Sequence, residues 1–404
     1  MESTHIYIKF NQMRMSVSKG RYMENKLFDF GGYKIPYYKR EVGENSGLLH
    51  CALSIKRGSM QDYIGGTAHC LEHMMIENEY VSSIDWNIVD RWAHTDFYDT
   101  TYYFLVSTEN FKYVYEIIEG MLSGRWLTKS IYTNILPHII EEYLKEIDTV
   151  DSVKKRALFS KSIYEKKLPI GVCNSVYKIQ YRDIEKYYTE NYLKSMPLFI
   201  VSGDTKNFEK KYYEKIESDK YNILKETIDY IPLSFDNDLI INNFEIMHIY
   251  INIDIEQKPI FFQYEARFIR ACITSNCLNS ILKEELGTEF QFIECRLVRL
   301  STGFYFIDMK FRKIQNNICC IIDLIKNIKW CKYLELIREE IHFFLEEYCK
   351  IRGTNLGNIV NEILNSVIFN ADYLKDKSLF QVKTEEIVAF LEELTLRHKF
   401  RIIL

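Results

Sequence analysis

From Tyr33 the pattern of apolar and polar residues becomes strand-like, in Ile35-Pro-Tyr-Tyr-Lys-Arg-Glu-Val42 and then Leu48-Leu-His-Cys-Ala-Leu-Ser-Ile-Lys-Arg57, which predicts two strands. A Gly65-Gly66 pair then precedes a helical stretch running through His69 and His73. Residues 100–107 form a β-branched and aromatic run, and 111–122 carry apolar positions at helical spacing. A long amphipathic helix is predicted over 131–147, and a short buried strand over 197–202, ending at Gly203-Asp204. Residues 204 to about 243 are charged and weakly periodic, as a connection would be. Beyond them the order recurs: a strand at 246–255, a helix at 271–286, a strand at 303–311, a helix at 319–328 and a long helix at 334–351. Even local text repeats, Glu141-Glu-Tyr143 on one long helix and Glu346-Glu-Tyr348 on the other. The pattern reads as an α+β chain of two similar domains, each with helices packed on a mainly antiparallel sheet. The expected divisions are an N-terminal extension at 1–25, a first domain at 26–204, a connection at 205–243 and a second domain at 244–404.

Composition narrows the class. The 404 residues are 47% hydrophobic, enough for large packed cores and too many for a disordered chain. The 52 Lys plus Arg against 56 Asp plus Glu leave a net charge of -4, without the basic excess that binding a nucleic acid needs. Ten cysteines include no C-x-x-C pair, so they read as small buried hydrophobes in a reducing compartment. The first residues hold no apolar signal core, and no apolar run approaches the ~18 residues of a membrane span. A cytoplasmic protein without nucleic-acid or membrane partners is expected.

The chemistry lies in Gly65-Gly-Thr-Ala-His69-Cys-Leu-Glu72-His73. On a helix, His69 and His73 project from one face, one turn apart, and two imidazoles so placed reach one tetrahedral Zn²⁺ at ~2.1 Å. Glu72 points into the same space without ligating, where its carboxylate can accept a proton from a water. This is the H-x-x-E-H arrangement. With 9 His in the chain, chance would produce the pattern only about 0.02 times, so the alternative of two surface histidines beside a solvated glutamate is the weaker one. Zinc needs a third protein ligand, and the 131–147 helix offers Glu141, Glu142 and Glu146. Glu142 borders the apolar stripe, Glu141 lies nearer the polar side, and Glu146 shares the Glu142 face. Spacing prefers Glu142 only modestly among the three.

The text resembles the pitrilysin/insulinase-like zinc metallopeptidases, in the branch of two-domain chains that includes mitochondrial processing peptidase and its bacterial relatives. Gly66-Thr-Ala-His-Cys-Leu-Glu-His-Met74 resembles that family's G-x-A-H-x-L-E-H-M block, and Ala93-His-Thr-Asp-Phe-Tyr-Asp-Thr-Thr-Tyr102 its A-x-T-x-x-x-x-T-x-Y strand. His138-Ile-Ile-Glu-Glu142 sits where the family has V-V-x-x-E, and residues 197–204 resemble the strand that closes the first domain. The resemblance implies zinc on His69, His73 and Glu142, Glu72 as general base, and half of a clamshell-shaped molecule. It also implies a substrate lying extended along the sheet edge at Trp92, Ala93 and His94.

The chain departs from the family in three places. Trp92 stands where the family has Asn, and Ile135 where an acidic residue is common, seven positions before the ligand Glu. In Leu282-Lys-Glu-Glu-Leu-Gly-Thr-Glu-Phe290, Lys283 and Phe290 replace the substrate-gripping Arg and Tyr. Lys lacks the guanidinium fork and Phe the hydroxyl. An intact metal motif beside a degraded grip suggests a heterodimer in which a related two-domain subunit supplies the grip, with a homodimer as the alternative. The function expected is a zinc-dependent endopeptidase, with leader-peptide processing as one role. A non-catalytic subunit of a peptidase-like complex is the rival, although such relatives normally lose the H-x-x-E-H residues. A second rival is a structural zinc site closed by Cys70 or His94. Cys70 points about 100° from His69 round the helix, which makes it a poor ligand.

Overall fold

The computed structural model describes residues 26–42, 45–172, 174–218, 231, 233, 238–240, 246–253, 262–286, 291–301, 304–312, 318–352, 382–397 and 400–403. The expected 1–25 extension and Phe290 lie outside the described residues.

In the first half the chain runs β1 (Lys26–Phe30), β2 (Tyr33–Glu41), β3 (Leu48–Ile55), α1 (Thr67–Ile76), α2 (Glu79–Ser83), β4 (Val89–Thr95) and β5 (Thr100–Ser107). It continues through α3 (Phe111–Ser123), α4 (Lys129–Ile147), α5 (Val150–Phe159), α6 (Tyr181–Tyr187), β6 (Leu198–Gly203), α7 (Thr205–Lys211) and β7 (Ile216–Ser218). The seven strands form one sheet in the order β4-β5-β3-β6-β2-β1-β7, antiparallel except where β2 runs parallel to β6. Period-two alternation shows how β3 is built: Leu49, Cys51, Leu53 and Ile55 enter one core with α1, α3 and α4, while Ala52 enters a second core on the opposite face. In α4, Thr128 caps the N-terminus by accepting from Ile131 N at 3.2 Å, and Ile135, Ile139 and Tyr143 form the buried stripe. Ile135, where relatives carry an acid, is part of that core stripe.

Residues 93–102, which the resemblance reads as one strand, form a hairpin instead. β4 stops at Thr95, the loop closes through Asp96 N to Asp99 O at 2.7 Å, and β5 starts at Thr100. Phe97 N donates to Asp96 Oδ1 at 2.8 Å, so a local aspartate turn reverses the chain. β4 is therefore the sheet's edge. At the other edge, β7 pairs with β1, so part of the stretch expected to be a connection belongs to the first sheet.

The second sheet contains β8 (Asp238–Ile240), β9 (Ile246–Asn252), β10 (Phe292–Ser301), β11 (Phe304–Arg312) and β12 (Phe400–Ile403) in the order β10-β11-β9-β12-β8. Among the described residues its helices are α8 (Phe262–Leu286), α9 (Ile318–Asn327), α10 (Leu334–Arg352) and α11 (Thr384–Arg397). Strand, helix, hairpin, helix and long helix thus succeed one another in both halves: β3, α1, β4-β5, α3, α4 and then β9, α8, β10-β11, α9, α10. The fold is α+β with two such layers. Ala52, Tyr103, Leu198 and Ile200 of the first sheet share an apolar core with Met247, Ile249 and Ile251 of the second. Arg401 of β12 donates to the carbonyls of Leu158 and Ser160 at the C-terminal end of α5, stitching the halves together.

Candidate metal centre

α1 is held in place before any of its chemistry is considered. Gly66, the residue preceding it, has φ +95°, a left-handed conformation that glycine adopts without strain, and a Cβ there would meet Val176 Cγ2 at 3.3 Å. Asp62 turns its carboxylate onto the start of the helix, accepting from Gly66 N at 2.8 Å and Ala68 N at 2.9 Å. Burial pushes the Asp62 carboxyl up to about 7, against the lowering effect of those backbone hydrogen bonds. Almost every α1 side chain is buried, including His69 and Glu72.

Three donor groups converge beneath α4. The Nε2 atoms of His69 and His73 lie 3.2 Å apart, Glu142 Oε2 is 3.1 Å from His73 Nε2, and Glu142 Oε1 is 3.8 Å from His69 Nε2. Zinc–ligand bonds of ~2.0–2.1 Å in a tetrahedron set ligand atoms roughly 3.3–3.4 Å apart, so these spacings suit one small cation. Glu141 instead pairs with Lys145 at 2.5 Å and is exposed. Glu146 lines the same cleft but is outside the converging group. Cys70 is buried in the apolar core and also stands outside that group, as does His94.

The electrostatics call for a cation. Burial lowers the pKa of His69. Burial lowers that of His73 too, but hydrogen bonds with Glu142 and Glu77 outweigh it and push His73 up to about 10. The hydrogen bond with His73 holds Glu142 and Glu77 below the usual carboxylate range, against burial. A proton on His73 thus supplies positive charge that a divalent ion would supply instead. His69 Nδ1 is buried with no hydrogen-bond partner. The donor set and its spacing fit Zn²⁺.

Glu72 stands beside this group with Oε2 accepting from Thr95 Oγ1 at 2.7 Å, so the end of β4 fixes the carboxylate. Glu77 reaches His73 Nδ1 at 3.0 Å and orients the ring. The sequence reading missed both Thr95 and Glu77, yet Glu77 lies four residues beyond His73, a spacing that brings helix side chains together. Asp62 was missed as well, because nothing in its local text marks a cap reaching over a loop.

The metal group and β4 open on one cleft of about 1030 Å³. Trp92, Ala93 and His94 line it. Trp92 is 43% exposed and stacks on Tyr103 with ring centroids 5.2 Å apart. His94 stacks on the same tyrosine at 5.7 Å, with Nε2 3.8 Å from Asp99 Oδ2. Trp86, 59% exposed, forms part of the rim with Arg91 over its ring at 4.2 Å. Lys283 is exposed on α8 and is not among the residues lining the cleft, so the structure does not bring it to the metal group.

Residues 44–170, which hold the H-x-x-E-H motif, β4 and Glu142, match the model of the insulinase family, peptidase family M16. No curated protein sequence matches the chain. The first half of the periplasmic protease PqqL from Escherichia coli has a similar fold, with a TM-score of 0.68 and 16% identity over 95% of this chain and 92% of that one. Against the whole of PqqL the chain covers 48%, about half its length. A protease from Helicobacter pylori superimposes with a TM-score of 0.66 and 16% identity, covering 92% of this chain and 97% of that one. An M16 inactive domain from Pseudomonas fluorescens gives 0.64 and 12%, covering 91% and 95%. The resemblance to pitrilysin/insulinase-like peptidases read from the sequence therefore holds, and the fold is that of their halves.

Proposed function

We propose that this chain is a zinc-dependent endopeptidase hydrolysing extended peptides. The observation that carries the reading is the convergence of His69, His73 and Glu142 beside a fixed Glu72 and an edge strand on one cleft. His69, His73 and Glu142 would hold the ion. When bound, zinc supplies Lewis-acid polarisation of a carbonyl and lowers the pKa of a water at the site. Glu72, oriented by Thr95, takes the proton from the attacking water and returns it to the leaving amine. The backbone edge of β4 aligns the peptide, with Trp92 and His94 beside it. The family match and the protease folds support peptidase chemistry in general.

The rest of the reading extends from the same site. The two sheets correspond to a metal-binding domain and a similar second domain that lacks the motif. Lys283 and Phe290 leave the grip incomplete, and the chain spans half of PqqL, which supports a related partner subunit. Trimming of leader peptides suits such a dedicated pair. Cytosolic residence rests on the cysteines, of which Cys51, Cys70, Cys272, Cys277, Cys295, Cys319, Cys320 and Cys331 are free; PqqL itself is periplasmic. Likeness to an inactive M16 domain favours one second reading, a non-catalytic subunit.

Hydrolysis of a mixed quenched-peptide pool, assayed before chelation, after it and after zinc return, tests the proposal. The expected result is turnover lost and then restored. Hydrolysis indifferent to chelation would overturn it, and zinc binding without turnover, alone or with a related chain, would favour the non-catalytic reading.

A further inference from the structure

The cleft carries its charges unevenly. Most of its carboxylates are engaged: Glu72 by Thr95, Glu77 and Glu142 by His73, and Glu165 by Lys161 N at 2.8 Å. One of its cations is engaged too, since Arg91 donates to the carbonyls of Ile84 and Val89, each at 3.1 Å, and lies over Trp86. Lys155 and Arg156 of α5, with Lys166 in the turn Ile163–Lys166, line the same cleft without an ion pair among the described residues. Glu146 and Asp148 also face the cleft, and neither pairs with them. Lys155 and Arg156 are half-buried, so part of their hydration is already lost and nothing in the described protein replaces it. Lys155 and Arg156 on α5 and Lys166 on the turn that follows it thus bring three cations to this cleft, and Arg156 adds the planar fork that matches a carboxylate.

We propose that Lys155, Arg156 and Lys166 bind a carboxylate of the peptide that occupies this cleft, making the preferred substrate acidic on that side. This names the substrate class of the proposed peptidase site and rests on that reading. The carboxylate has two sources, an Asp or Glu side chain or the free C-terminus of a short peptide. In both cases the contact is a partly desolvated ion pair, worth about tenfold in affinity and weakened by salt.

Binding is read apart from cleavage by using the Glu72→Gln protein and fluorescein-labelled ten-residue peptides in three forms. The first carries Glu scanned through each position with an amidated end, the second Gln with an amidated end, and the third Gln with a free carboxylate. The expected result is that the first or the third binds about tenfold more tightly than the second at low salt. That advantage disappears when Lys155→Gln and Arg156→Gln are added, and is only partly retained with Arg156→Lys alone. A Glu advantage assigns the site to a side chain, and a free-end advantage to the chain terminus. Equal binding of all three forms, or an advantage that survives the double substitution, overturns the proposal. The zinc-loaded chain is assayed separately for hydrolysis of the same peptides. Binding preference without any hydrolysis would sink the peptidase reading and leave the carboxylate site standing.

Discussion

Asp62 shows how much of the site depends on one side chain outside the motif. Its carboxylate satisfies two amides at the start of α1, so it fixes the turn from which His69 and His73 project. Its folded pKa, about 7, lies above the ~4 of an unfolded Asp, so the folded chain holds this proton where the unfolded chain has lost it. The stabilisation is complete below about pH 4 and fades as pH rises through 7. The predicted size is about 3–4 kcal/mol, read as the difference in unfolding free energy between wild type and Asp62→Asn across that window. Wild-type stability that holds level or rises relative to Asp62→Asn as pH increases through this window would contradict the assignment. Glu72 makes the same point about context, because a glutamate usually belongs in solvent and this one is buried against Thr95.

At the scale of elements, the long α4 was readable because its stripe of Ile135, Ile139 and Tyr143 keeps helical spacing and Thr128 caps it. α1 was readable by its motif alone, since burial on nearly every side leaves it little apolar-polar contrast. Spacing alone favoured Glu142 only modestly, because one turn of helix places three glutamates within reach; the family resemblance named it, and the packing of α4 on α1 brings it to the two histidines. The β4-β5 hairpin escaped for a similar reason: Thr95 and Thr100 flank a loop whose Phe97 and Tyr98 are as apolar as a strand, packed in a core with Phe159 and Tyr164. Gly66 carries the element-level prediction. Gly66→Ala forces a side chain into a left-handed turn beside Val176, and should cost about 1–3 kcal/mol by chemical denaturation while weakening metal affinity. Unchanged stability with unchanged affinity would show that the turn is not what sets α1.

Across the whole molecule, two similar layers meet through a shared apolar core and the buried Arg401, and among the described residues only the first layer holds a His-His-Glu group. α8 occupies in the second half the place that α1 holds in the first, yet carries no histidine pair. Arg401 ties β12 to the end of α5, the helix that also presents Lys155 and Arg156 to the cleft. Arg401→Met removes a buried donor from two carbonyls, and a loss of about 3 kcal/mol is expected in denaturant unfolding. A loss under about 0.5 kcal/mol, the size of a neutral surface change, would place the joint elsewhere.

The most direct test is zinc stoichiometry measured together with peptide turnover, for the wild-type chain and for Glu72→Gln, with any partner subunit present in both. One zinc per chain in both proteins, with kcat lowered about 10²- to 10⁴-fold in the variant, is the predicted result. Equal turnover by the two proteins, or a wild-type chain that binds no metal, would contradict the account.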